Sequence, residues 1–145
     1  MILQTVITLF NAKAGADRHE VFFPTVIDSA SYMSRRASSS SKGVHTEGLT
    51  YSLRIPVNAK VIDGKTYVDE KAFKAMSDED AAKHWTLRTG DCILVGAYFD
   101  AKPCTMQELT ALADREMANM ICINEYADNT IRGSEAVKHW RIGGV

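Results

Sequence analysis

Apolar and polar residues alternate with a period of two in several short segments of this chain, and that pattern constrains the fold most. In the segment 49–55 every odd-numbered residue is apolar and every even-numbered residue is polar. The segment 136–142 likewise places Trp140 and Ile142 in one phase and Arg141 in the other. Successive side chains of a strand point to opposite faces of a sheet, so this period predicts strands with one buried face.

Further strand signals occur on both sides of these segments. Residues 1–10 mix β-branched and polar residues, although so short a run also fits a helix. In the segment 19–27, Pro24 marks a sheet edge or a bulge, because proline cannot donate to a ladder. Asp63-Gly64 predicts a hairpin turn between two short strands, and a turn is expected over 11–15.

Two apolar runs complete the predicted sheet, and polar caps predict short helices between the strands. The run 92–99 (CILVGAYF) predicts a central strand buried on both faces, and 118–126 a further strand. Helical spacing over 69–76 is followed by a second helix start at Ser77. Thr105 and Glu108 form a capping-box pattern that opens a helix ending near Arg115.

These signals predict one β-rich domain over residues 1–145, in the mainly β (α+β) class. Six or seven short strands with few helices indicate a small antiparallel β-barrel or sandwich, with one or two short helices inserted in its connections. A long flexible loop is predicted over 34–48, where four consecutive serines cannot pack a core. The residues 143–145 predict a flexible C-terminal tail.

The predicted loop carries a local excess of positive charge. Arg35, Arg36 and Lys42 are followed by no acidic residue before Glu47. Two interpretations stay open: an ordinary solvated loop, or a loop that touches DNA phosphates without reading sequence. Three cations are weak in one copy, but a ring of subunits would repeat them around a channel.

Composition excludes several classes of protein. Seventeen Lys plus Arg and 18 Asp plus Glu give a formal net charge of -1, which excludes a strongly basic DNA-coating protein and an acidic disordered tail. No apolar run is long enough to span a bilayer, so no membrane contact is predicted. The N-terminus lacks the basic region of a signal peptide, which predicts synthesis in a cytoplasm.

The sequence offers little for catalysis. The four histidines are far apart and there is no phosphate-binding glycine motif, so we expect no metal, no cofactor and no enzymatic activity. Among three cysteines, Cys104 is the one candidate for a reactive thiol, because a helix N-terminus would lower its pKa. A small enzyme or ligand-binding protein using Cys104 or a histidine stays open as the alternative. Trp85 and Trp140 are candidates for interface anchors or for core residues.

Four segments resemble a family of small uncharacterised proteins carried by tailed phages and prophages of Gram-positive bacteria. They are Tyr67-Val-Asp-Glu70, His84-Trp-Thr-Leu-Arg-Thr-Gly-Asp-Cys-Ile-Leu-Val-Gly96, Ala127-Asp-Asn-Thr-Ile-Arg-Gly-Ser134 and Lys138-His-Trp-Arg-Ile-Gly-Gly144. Members pair a W-T-L…G-D…G segment with an H-W-x-x-G-G ending. The chain departs from that pattern at Ala127, where serine is usual, and at 130–132.

The resemblance implies a structural protein of the virion neck, between head and tail. We expect a head-closure (stopper) or head-tail connector protein, or alternatively a tail-terminator protein of the same module. Such proteins are small β-barrels that assemble as rings around the DNA channel. The implied partners are further copies of the chain, the adjacent portal-side and tail proteins, and packaged double-stranded DNA held without sequence preference. The implied location is the virion.

Overall fold

The computed structural model describes residues 3–14, 20–41, 44–56, 59, 61–62, 64–98, 102–129 and 139–145, with the backbone alone at 3–4, 32–41, 44–49 and 128–129. Over these residues the chain has eight strands and three helices. The strands are β1 (Leu3–Ala14), β2 (Glu20–Ser41), β3 (Val44–Pro56), β4 (Thr66–Tyr67), β5 (His84–Trp85), β6 (Cys92–Val95), β7 (Met120–Asn129) and β8 (His139–Gly144). The helices are α1 (Glu70–Ala75), α2 (Asp78–Ala81) and α3 (Met106–Arg115).

Six of the strands form a closed antiparallel barrel in the order β1-β2-β3-β8-β7-β6. The barrel closes where β6 returns to β1, with Leu9 opposite Ile93. The remaining two strands, β4 and β5, pair in parallel beside it. The predicted mainly β fold is therefore confirmed. None of the three described helices is long and apolar enough to cross a membrane.

The inward-facing residues of the alternating strands fill the interior of the barrel. Leu53 and Ile55 are fully buried, while Arg54 between them is exposed. The buried residues that share this core come from all six barrel strands and from the segment 85–87: Ile7, Leu9, Ile27, Ala30, Tyr51, Leu53, Ile55, Trp85, Leu87, Ile93, Ile121, Ile123, Trp140 and Ile142. Burial of this apolar surface is the main term that stabilises the fold.

Helix α3 covers the outside of the barrel at β6. Its buried residues Leu109 and Ala113 share a cluster with Cys92 and Leu94, while Ile93 faces the barrel core. The predicted burial on both faces is thus confirmed for 92–94, whereas the strand ends at Val95 and Ala97, within the predicted run, is exposed. The predicted capping box is also present: Thr105 Oγ1 accepts from the Glu108 N–H, and the Glu108 carboxylate accepts from the Thr105 N–H.

The two other helices start where their caps predict. Asp69 and Ser77 cap α1 and α2 through their side-chain oxygens. Phe73 of α1 is buried edge-on against Phe23 of β2, with ring centroids 6.3 Å apart. These helices close one side of the barrel.

The predicted turn is wrong for 11–14, and so is the hairpin predicted at Asp63-Gly64. β1 continues through 11–14, because Ala12 and Lys13 pair with Phe22 and Val21 of β2. Gly64, at a φ of 72°, does form a turn by donating to the Val61 carbonyl, but no hairpin follows among the described residues. Val61 instead bridges to β2, and β4 pairs with β5.

The predicted flexible tail is also wrong, because the last residues belong to the barrel. Gly143 and Gly144 lie in β8, between β3 and β7, and Val145 exchanges two backbone hydrogen bonds with Cys122. A Cβ on Gly144 would lie 2.5 Å from Ile121 Cγ2 and 2.7 Å from the Cys122 carbonyl oxygen. The glycine-rich composition predicted a flexible segment, whereas in the structure β3 and β7 pair with the two edges of β8.

We expect Gly144→Ala to lower the free energy of unfolding by about 1–3 kcal/mol, because the backbone of β7 must shift to accept the methyl group. Gly143→Ala is the matched control, since its Cβ would meet only the side chain of Glu125, which can move. Denaturant titration of both variants measures the difference. Equal losses of stability would contradict the close-approach argument.

Candidate assembly arm and basic face

Strands β2 and β3 continue beyond the barrel as a two-stranded hairpin. β1 accompanies β2 only as far as the pair Leu3–Tyr32, and β8 accompanies β3 only as far as Tyr51–Gly144. Past these points, residues 35–41 and 44–50 pair only with each other among the residues described. We call these two segments the arm. At 3.3 Å per residue the arm extends about 25 Å from the barrel.

The arm replaces the predicted loop, so the expectation of a loop over 34–48 is wrong for 34–41 and 44–48. A serine run cannot pack a core, but a two-stranded ladder needs none, because the partner strand satisfies its backbone groups. Arg35 occupies the register position opposite Thr50, and Arg36 the position opposite Leu49. Lys42 lies outside the described residues. The predicted DNA contact by these three cations stays a prediction.

Neither strand of the arm has a neighbour on its outer edge among the described strands of the sheet. Within the barrel, every strand has a neighbour on both sides. A lone two-stranded hairpin is marginally stable in water, and open edges are templates for pairing with another chain. The arm, whose two outer edges are unpaired over its described length, therefore has physical reasons to bind a partner.

A second feature lies on the outer face of β2, β3, β8 and β7. Arg54 and Arg141 are directly opposite each other across β3 and β8, and both are exposed. Ser31 lies beside Arg54 on one side, and Ala127 lies beside Arg141 on the other. We call this row of four residues the basic face.

The basic face borders a shallow depression of about 740 Å³. Its floor includes Ser52 and Gly143, a cross-strand pair with little side-chain bulk. Glu125 lies opposite Gly143, its side chain occupies the space above that glycine, and it lines a second, smaller depression together with Arg141. The sequence placed Arg54 on the polar side of its strand, but no sequence signal places it against Arg141, because strand register is a tertiary property.

Trp85 and Trp140 lie in the core, which corrects their prediction as interface anchors. Their relative exposures are 2% and 7%. The indoles meet edge to face with centroids 5.1 Å apart, and Tyr67 packs against both. Alternation turns Trp140 inward with Ile142, and β5 brings Trp85 to the same end of the barrel. The alternative interpretation, core packing, is the one that the structure supports.

A buried polar network joins β1 to the segment before β6. Asn11 Nδ2 donates to the Thr86 carbonyl at 2.7 Å and to Asp91 Oδ2 at 2.8 Å, and Asn11 Oδ1 accepts from the Thr86 N–H. The Ala12 N–H donates to Asp91 Oδ1 at 2.9 Å. Asp91 is fully buried, and burial raises its pKa to about 7 despite these donors and the nearby Arg88.

We expect Asn11→Leu to destabilise the fold by about 3 kcal/mol or more, because it removes the partner of several buried polar groups at once. Asn124→Leu is the control, since Asn124 is exposed. Thermal and denaturant unfolding of both variants measure the effect. A loss below about 1 kcal/mol for Asn11→Leu would show that the network is not a structural tie between β1 and β6.

Cys104 lies at the edge of an open cleft of about 660 Å³ that α3 lines together with residues 97–98 and 102–103. Its backbone bridges to Phe22, and its side chain is half-buried. Burial raises the pKa of the Cys104 thiol, and the nearby Glu108 carboxylate raises it further. The expected lowering of the Cys104 pKa by the helix N-terminus is therefore wrong, because burial and the Glu108 carboxylate both disfavour the thiolate.

The other cysteines are cross-strand neighbours. Cys92 and Cys122 are paired across β6 and β7 with their sulfur atoms 3.9 Å apart. Burial and the adjacent thiol raise the pKa of Cys92 to about 12. A thiol in this state is protonated at neutral pH, as a structural cysteine is.

The histidines lie apart in the described part of the chain. His84 Nδ1 is 2.9 Å from the Asp80 carbonyl oxygen, and His139 is half-buried in β8. Among the described side chains, no group of three His, Cys, Asp or Glu residues could hold a metal ion. His19 lies outside the described residues, and only the backbone of His45 is described.

Comparison with known proteins gives a family without an activity. A family model described as "Family of unknown function (DUF6751)" matches residues 2–145. No curated protein and no solved structure matches the chain.

Proposed function

This chain belongs to the family of unknown function DUF6751, and we propose for it a structural role without catalysis. It is a ring-forming subunit of a tailed-phage neck, a head-closure or head-tail connector protein that surrounds the DNA channel. The observation that carries the assembly role is the arm, a hairpin with two open edges on a body that has closed its own sheet.

The arm supports assembly by a specific physical route. An extended segment binds an open strand edge through main-chain hydrogen bonds, and alternate side chains supply specificity. When the arm of one subunit lies on a different surface of its neighbour, the contact is heterologous, and it forms a ring if the rotation closes. Binding to a neighbour would also stabilise the arm, because an isolated two-stranded hairpin is only marginally stable in water.

The phage neck is supported by the resemblance of four sequence segments, not by the arm. Those segments run through β4, β5, β6, β7 and β8, so they include core residues such as Trp85, Leu87 and Trp140. The fold to which these core residues contribute is a barrel, which is the fold that the resemblance implies for neck proteins of this kind. The same observations fit the alternative, a tail-terminator protein of the same module. The position of the chain along the neck distinguishes it from a head-closure or connector protein.

The test uses a phage that carries this gene. Mass spectrometry of purified virions and a particle map with a tagged copy locate the chain, and deletion of the gene shows its role. We expect density at the head-tail junction, and full heads without joined tails or heads that leak DNA after deletion. Normal virions that lack the chain would contradict the neck role.

A further inference from the structure

We propose that the basic face is a binding site for the phosphodiester backbone of duplex DNA. This deepens the proposed neck function, on which it rests for its biological setting. It adds a surface on the barrel itself to the contact predicted for Arg35, Arg36 and Lys42, which stays a prediction.

The first argument is the placement of like charges. Arg54 and Arg141 occupy directly opposite positions on adjacent strands, where like charges destabilise a sheet. The ion pairs formed between described residues include neither guanidinium. An anion between the two side chains would remove this repulsion, and a guanidinium binds phosphate oxygens through paired donors.

The second argument is access. The flanking residues Ser31 and Ala127 are small, so nothing bulky from these two positions covers the guanidinium groups, while the Glu125 side chain lies over Gly143. Opposite residues of an antiparallel pair have Cα atoms about 5 Å apart, and arginine side chains are long enough to span the additional distance to adjacent phosphates. Both arginines can therefore engage neighbouring phosphates.

The third argument separates DNA from an acidic protein partner. Ser31 and Ser52 border the arginines with hydroxyl groups, and the depression is lined mainly by polar side chains. Stable protein interfaces use buried aromatic or aliphatic anchors, whereas phosphate contacts use Arg, Lys and hydroxyl donors. Glu125, which lies over Gly143 and shares a small depression with Arg141, opposes a polyanion and sets the boundary of the site on the β7 side.

The test measures binding of the full chain to a fluorescent duplex over a series of salt concentrations. We expect Arg54→Gln/Arg141→Gln to weaken binding about tenfold or more and to reduce the slope of log K against log salt by about 2, one for each lost contact. Two duplexes of unrelated sequence should give the same result. Glu125→Gln should tighten binding about twofold, because it removes a repulsive charge.

The matched control is Lys71→Gln/Lys83→Gln, which removes the same charge from exposed lysines elsewhere. An equal loss of affinity in this control would show a general charge effect and overturn the site. An unchanged salt slope in the arginine variant would overturn it as well. Polyglutamate that binds the arginine pair as tightly as DNA would assign the face to an acidic protein instead. These outcomes are independent of whether virions contain the chain.

Discussion

Replacement of residues 37–48 by Asn-Gly is expected to leave the barrel folded and to abolish assembly. The two new residues would join Arg36 and Leu49, which are opposite each other in the hairpin, and Asn-Gly favours the tight turn that this junction needs. The deleted part of the arm pairs with no described barrel strand. We therefore expect the free energy of unfolding to change by less than about 1 kcal/mol.

The consequence for assembly should be large, because the arm carries the open edges. A phage that lacks the gene, complemented with the shortened chain, should yield heads that fail to join tails. Electron microscopy counts joined and separate particles, and denaturant titration verifies the fold. Joining at the normal level would remove the arm from the assembly mechanism.

A pair of single substitutions distinguishes the role of the arm's backbone hydrogen bonds from that of its side chains. Thr46→Pro removes one backbone donor and fixes φ, so it disrupts pairing at the position opposite Ser39. Thr46→Val is the control at the same position, because valine keeps the donor and favours strands. Only the proline variant should lower particle joining.

The unfolding free energy is expected to fall as pH rises from about 4 to about 7, through the buried carboxyl of Asp91. Its pKa is raised from 3.8 to about 7 in the folded chain. Between these values the folded state keeps the proton that the unfolded state has released, so each rise in pH favours unfolding. At 1.36 kcal/mol per pKa unit the total loss is about 4 kcal/mol, complete above pH 7.

Other groups also titrate in this range, so the quantity to follow is the difference in unfolding free energy between the wild type and a variant without the Asp91 carboxyl. Asp91→Asn removes the titrating group, and the stability of the wild type minus that of the variant should decline across the window. Asp114→Asn, which makes the same substitution at an exposed position of α3, is the matched control for the change of charge. A difference curve for Asp91→Asn that is flat or rises with pH would mean that the three surrounding donors keep Asp91 ionised.

Local features of the fold were predictable because their causes are local. The caps at Asp69, Ser77 and Thr105 act within three residues, so their side chains reveal where the helices begin. Alternation over 49–55 correctly separates buried Leu53 from exposed Arg54, since strand geometry alone sets the two faces. These signals were sufficient to indicate a mainly β chain.

Features that depend on distant partners were not predictable from the same signals. Asn11 looked like a turn residue, but its partner Asp91 is 80 positions away and converts it into a buried structural tie. The two tryptophans looked equally suited to an interface and to a core, and only closure of the barrel decided between them. The pairing of Arg54 with Arg141 depends on the register of β3 against β8.

By itself the sequence determined where the helices begin, which residues of the segment 49–55 face inward, and that the chain carries no large net charge. Only the tertiary structure decided that the serine-rich segment is a hairpin arm, that 143–145 pair with strands of the barrel, and that two arginines share one face. The physical reason is that a strand's backbone groups are satisfied by another strand. Which strand that is, and in what register, is a choice made over the whole fold.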